Sequence, residues 1–173
     1  MTIKAAILDA NNVVINIILL ESLTECEGAI DGNAANIGDT WNGSVFVKPD
    51  NETLEEKRAR IWDDIKNFRD NLVQTGGYKV GAHWYHSDTF SRTQQIALVV
   101  MGASIPAGIV WKTRDNGYVP MTQALAQQIF AAGAAQDAAL FTKAAYHKAG
   151  IDASSDPESY DWRVDWPETY QGA

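Results

Sequence analysis

The feature that most constrains this chain is a change of hydrophobic period at Pro49-Asp50-Asn51. Before it, apolar residues come in short β-branched runs separated by turn-forming Asn and Gly. After it, they recur every three or four residues over long stretches. A period of two specifies strands and a period near 3.6 specifies helices, and neither pattern suits the other element. The expected fold class is therefore α+β. A small N-terminal antiparallel β-unit (1–50) precedes a three-helix domain with two short β-hairpins (51–173).

In the first part, Ile3–Leu8 predicts a strand, Asn11-Asn12 a tight turn, and 13–20 a second, β-branched strand. The near-continuous apolar run of that second strand implies burial on both faces, or one face on a core and the other on a partner. A second hairpin is expected where 37–41 and 44–47 flank Asn42-Gly43. Residues 23–36 read as a loop with one short helical turn. A four-stranded unit is near the lower size limit for independent stability. Val13, Ile15, Ile17 and Leu19, which share one strand face, are accordingly candidate interface residues.

In the second part, a first helix opens after Pro49 with Glu52, Glu55 and Glu56 in its first turns, where the helix dipole favours negative charge. Leu54, Arg58, Ile61, Ile65, Phe68 and Leu72 form a heptad seam. It is too short to demand a coiled coil, so its first use is packing on the chain's own core and its second is self-association. Gly76-Gly77 ends the helix. A hairpin, Tyr78–Val80 and His83–Tyr85, turns at Gly81-Ala82. Ser87 or Asp88 caps a second helix carrying Phe90, Gln94, Leu98 and Met101 on one face. With Ile96, Val99 and Val100 it is apolar on more than one side, as a buried central helix would be. A further hairpin, 109–112 and Tyr118–Pro120, turns at Asp115-Asn116-Gly117. Thr122 caps a third helix running to about Lys148, with Leu125, Ile129, Ala132, Gln136, Leu140 and Ala144 inward and Gly150 as its stop. Its small residues at 131–135 permit close approach of another helix.

The tail, 152–173, carries Tyr160, Trp162, Trp166 and Tyr170, too many aromatics for a disordered segment. These rings are expected on the helical domain or on a neighbouring subunit. Trp41, Trp62, Trp84 and Trp111 lie within regular elements and read as core, whereas Trp162 and Trp166 are candidate interface residues.

Charge narrows the partners. Fourteen basic against 22 acidic side chains leave a net charge of −8, which disfavours nucleic acid. The one cysteine, Cys26, can form no intrachain disulfide; it sits between two glutamates and reads as an inert thiol. The longest apolar stretch is too short to span a bilayer, and the N-terminus does not read as a signal peptide. No membrane insertion is expected, and the chain is expected to fold in the cytoplasm of the cell that makes it.

Catalytic patterns are weak. His83 and His86 flank Trp84-Tyr85, with Asp88 nearby, but in a strand the two imidazoles point to opposite faces. Asp63, Asp64 and Asp70 lie on a helix with Lys66 and Arg69 and read as surface pairs rather than a glycosidase dyad. His147 reads as a cation suited to a helix end. Arg92, one turn into the second helix, lies within reach of Asp88 or of Asp63-Asp64. No nucleophile elbow, phosphate loop or dinucleotide fingerprint occurs. The expectation is no catalytic residue, no metal and no cofactor.

A set of short motifs then recurs in a familiar order: Ile61-Trp62-Asp63-Asp64-Ile65-Lys66, Gly76-Gly77-Tyr78-Lys79-Val80-Gly81, Trp84-Tyr85-His86-Ser87-Asp88, Ser91-Arg92, Met101-Gly102-Ala103, Trp111-Lys112-Thr113 and 117–122. From about residue 55 to 170 the chain resembles a domain family of unassigned function found in phage tail proteins, often at the end of tail-fibre polypeptides. Its first fifty residues are similar to small β-modules that precede that domain. The resemblance implies a virion structural protein of a tail fibre, tail tip or baseplate, contacting other tail proteins. It implies a homo-oligomer, for which three-fold association would suit a fibre. The alternatives are a tail-fibre assembly chaperone absent from the mature particle and a cell-wall hydrolase, the latter resting only on the carboxylates.

Overall fold

The chain divides into two compact units, Met1–Glu52 and Thr53–Ala173. A computed structural model describes residues 2–172; Met1 and Ala173, the outermost residues of the two expected segments, lie outside the described residues. Among the described residues the fold is α+β, with three α-helices and several small antiparallel strand pairs.

In the first unit, β1 (Ile3–Leu8) pairs antiparallel with β2 (Val14–Leu20), Ala5 lying opposite Ile18. The Asp9 carboxylate builds the turn between them, accepting from the N–H of Asn11 (2.8 Å) and of Val13 (2.9 Å), and Asn12 takes a positive φ of 63°. The expected loop supplies a third strand, β3 (Ile30–Asp31), on the other side of β1, so the sheet order is β2-β1-β3. Two residues carry no periodicity, which is why the pattern did not reveal it. Gly32 is required here, because a Cβ would lie 2.7 Å from the Ala6 nitrogen. β4 (Thr40–Trp41) and β5 (Phe46–Val47) form the second hairpin, shorter than expected. Trp41 pairs with Phe46, so four residues connect the strands instead of two; the Asn42 side chain accepts from the N–H of Ser44 and Val45 and widens the turn.

The second unit starts with a capping box. Thr53 Oγ1 accepts from the Glu56 N–H (3.2 Å) while the Glu56 carboxylate accepts from the Thr53 N–H (2.8 Å). α1 therefore spans Leu54–Thr75, and Glu52 lies outside it. Its seam packs inside the unit. Ile61 and Ile65 are buried, and Phe68 meets the edges of Trp162 and Trp166 at 5.6 and 5.2 Å. The middle of the seam is thus used within the unit, while Leu54 at its start stays exposed. β6 (Tyr78–Val80) and β7 (His83–Tyr85) turn at Gly81-Ala82, and β8 (Val110–Lys112) and β9 (Tyr118–Pro120) turn through Asn116. α2 (Thr89–Met101) follows its Asp88 cap and α3 (Gln123–Ala153) its Thr122 cap. One core cluster gathers Tyr78, Tyr85, Leu98, Met121, Ala126 and Ile129; another gathers Ile61, Ile65, Ala144, Ile151 and Trp162. α3 runs through both.

Three expectations require correction. α2 is not a buried central helix: Phe90 (72% exposed) and Val100 (81%) face solvent, as do Gln94 and Met101. Polar residues with partners, Arg92 and Gln95, take the inner face beside Leu98 and turn the apolar residues outward. α3 continues past Lys148 and Gly150 to Ala153. Its end is closed by Arg58, whose guanidinium donates to the carbonyls of Ile151 (3.3 Å) and Ser154 (2.8 Å). Among the tryptophans, Trp162 is buried (6% exposed) rather than outward-facing, while Trp62 and Trp111 pack half-buried against the two cores as expected and Trp41 and Trp84 are half-buried.

Gly150 makes this packing testable. A Cβ there would lie 2.5 Å from the Tyr160 ring. Gly150→Ala gains about 1 kcal/mol of helix propensity but loses about 1–3 kcal/mol to overpacking. A lowered urea midpoint is expected; a raised one would mean that Tyr160 does not seat against α3.

Candidate functional site

The polar groups of the second unit converge on Arg92. Its guanidinium forks onto Asp137 of α3 (2.6 and 2.8 Å) and donates through Nε to the Ser87 carbonyl (2.6 Å) and through Nη2 to the Val73 carbonyl of α1 (3.4 Å). Neither Asp88 nor Asp63-Asp64 is its partner. Asp88 is occupied in capping α2, where the Ser91 N–H holds its carboxyl below the usual range. Next to Arg92, the Tyr78 hydroxyl donates to the Gln95 side-chain oxygen, and Gln95 Nε2 donates to the His86 carbonyl (3.0 Å). Ser87 Oγ accepts from the Gly77 N–H (2.9 Å). Burial pushes the Tyr78 hydroxyl up to about 12, so it stays protonated at neutral pH.

A cavity of about 220 Å³ opens over this cluster, lined by Tyr78, Arg92, Gln95 and Asp137 and walled by Ile96 and Phe130. The four lining polar side chains all hold protein partners. Sequence reasoning missed Gln95 and Asp137. The only signal was a polar residue on the inner arc of each helix, which is costly unless satisfied.

The histidines separate. His83 Nδ1 lies 3.2 Å from Asp115 Oδ2, and His86 serves through its carbonyl. Among the described residues, no three His, Cys, Asp or Glu side chains gather as metal ligands would. His147 is buried, not a helix-end cation. Its Nε2 donates to the Val164 carbonyl (3.2 Å), so Nδ1 accepts from the Tyr160 hydroxyl (3.1 Å), the neutral tautomer. Burial, and then Lys143, lower its pKa.

Of the candidate interface residues, Ile15 (55% exposed) and Leu19 (67%) lie open on β2, an edge strand of its sheet, while Val13 and Ile17 are half-buried. Trp162 and Trp166 are used within the unit: the Trp166 ring N–H donates to the Trp162 carbonyl, and both rings flank Phe68. Trp162 is thus core rather than an outward-facing contact.

The His147 contacts imply a pH dependence. With its folded pKa lowered, the unfolded chain binds the proton more readily, so the stabilisation is complete above about 6.5 and falls as the pH drops below it. Urea titrations at pH 7.5 and 5.5 are expected to show a stability loss that is smaller in His147→Gln. Equal losses in the two proteins would contradict the buried neutral imidazole.

No curated protein and no solved structure matches the chain. No helix among the described residues is long and apolar enough to cross a membrane. The sequence pattern of the domain of unknown function DUF4376 matches residues 56–164, the segment that carries the Arg92 cluster and both helical cores. The chain therefore belongs, through most of its second unit, to the DUF4376 family.

Proposed function

We propose that this protein is a non-enzymatic structural component of a bacteriophage tail, acting through protein–protein contacts as part of an oligomer. The observation that carries the reading is the open apolar row on β2. Ile15 and Leu19 face solvent on an edge strand of a unit of about fifty residues, too small to cover both faces of its own sheet. Exposed apolar surface of this kind marks interfaces. The ordered motifs of the second unit, which resemble those of phage tail proteins, supply the setting. The Arg92 and His147 networks support it as well, since they hold a rigid scaffold together through groups that satisfy one another.

Quantitative mass spectrometry of purified particles tests the proposal. The chain is expected at a fixed copy number alongside tail proteins; presence in the lysate and absence from mature particles would favour an assembly chaperone instead. The Ile15→Asp/Leu19→Asp variant is expected to keep its far-UV circular dichroism and to be lost from particles. Incorporation at full copy number would contradict attachment through β2.

A further inference from the structure

We infer that the groove between the end of α1, the β8–β9 turn and the C-terminal segment binds the carboxylate of an acidic sugar. The chain has six arginines. Four of them donate to oxygen acceptors: Arg58 to the Ser154 carbonyl, Arg60 to Glu158, Arg69 to Asp70 and Arg92 to Asp137. Among the described residues, the guanidinium groups of the other two, Arg114 and Arg163, have no hydrogen-bond or ion-pair partner, and both line this one groove of about 660 Å³. Acidic side chains outnumber basic ones 22 to 14, so the pair was not left over for want of carboxylates. Each guanidinium is instead held by its flat face. Arg114 lies over the Tyr170 ring at 5.0 Å, and Arg163 over the Trp162 ring at 4.2 Å. Stacking orients the guanidinium plane but uses none of its N–H groups, which lie in that plane. Gly77 makes room for this, since a Cβ there would lie 3.2 Å from Arg114 Nη1. Oriented guanidinium edges without acceptors are matched by a planar carboxylate, which accepts two N–H bonds side by side.

The rest of the lining indicates what carries that carboxylate. Two acidic side chains share the groove: Asp165, which faces Lys143 at 3.8 Å, and Glu168, which is exposed. Counted with Lys143, three cations stand against two carboxylates. One net positive charge suits a single carboxylate and is too little for a polyanion. Among the described residues no strand edge lines the groove, so a peptide backbone would find no ladder to join. Hydroxyl groups, in contrast, find both kinds of partner. Thr75 Oγ1 donates to the Asn71 carbonyl (2.8 Å) and keeps its lone pairs to accept, whereas Thr169 Oγ1 accepts from Gln171 Nε2 (2.9 Å) and keeps its proton to donate. A ring carrying one carboxylate and several hydroxyls meets all of these groups, and the volume lies within the range of small-ligand sites.

The site goes beyond the structural role proposed above and does not depend on it, because sugar binding and incorporation into particles are separate readouts. Titration of the full chain with D-galacturonate and with N-acetylneuraminate, followed by tryptophan fluorescence and backbone amide NMR shifts, is expected to show saturable binding of at least one of them. The shifts should centre on Arg114 and residues 163–171, and binding should weaken as salt is raised. Galactose, which lacks the carboxylate, should not bind. Arg163→Gln, at an exposed position that leaves the fold intact, is expected to weaken binding about tenfold. Arg114→Lys, which keeps the charge and loses the fork, should weaken it as well. Arg60→Gln should not, because that guanidinium already serves Glu158. Failure of both sugar acids to bind, or binding that Arg163→Gln and Arg114→Lys leave unchanged, would overturn the site. Equal affinity for galactose, for inorganic phosphate or for an acetylated tripeptide with a free C-terminal carboxylate would overturn its assignment to an acidic sugar.

Discussion

A guanidinium that is three-quarters buried cannot be left without partners, and the second unit is organised around satisfying one. Arg92 draws on the carboxylate of α3, the last turn of α1 and the carbonyl that precedes α2. These acceptors come from three separate elements, so the fork fixes where they meet. It also fixes the rotation of α2 about its own axis. With Arg92 and Gln95 inward, Phe90, Ile96 and Val100 must point out. The apolar surface of that helix is thus a consequence of a polar contact rather than a failure of burial.

The same logic holds the C-terminal segment, whose only regular element among the described residues is a short 3-10 turn, Pro157–Ser159, yet which completes a core. Neutral His147 fixes Tyr160 and the Val164 carbonyl, Trp162 fills the space between α1 and α3, and the Tyr170 N–H donates to the Gly76 carbonyl at the end of α1. A helical domain of this size gains much from such a cover, because the buried fraction of its surface is limited by its length. Gly150 is kept small by the Tyr160 ring over it, and Gly76 by the Leu72 carbonyl and the Thr169 side chain.

Elements with a strong local cause were legible. The Asp115-Asn116-Gly117 and Gly81-Ala82 turns, the Asp88 and Thr122 caps and the strands β1, β6 and β7 follow from turn chemistry and period alone. What escaped was set at a distance. β3 is a strand only because β1 offers it an edge, and Gly150 sits inside a helix because Tyr160 occupies its side-chain space. Trp162 is buried in part by Ile61, Ile65 and Phe68 of α1, far earlier in the chain. The pairing of Arg92 with Asp137 spans 45 residues and competes with nearer carboxylates that the sequence ranks equally. The candidate site was therefore half visible: Arg92 stood out, but its partner did not.

An interlocked polar centre and a committed tail leave this domain with outward apolar faces on a rigid frame, the property that a structural subunit needs. That frame depends on the Arg92–Asp137 contact, and a double-mutant cycle of Arg92→Ala, Asp137→Ala and the pair, read by urea unfolding, measures it most directly. A coupling energy of about 2 kcal/mol is predicted, with the double variant losing much less than the sum of the single losses. Additivity of the two losses to within about 0.5 kcal/mol would contradict a fold that turns on this contact.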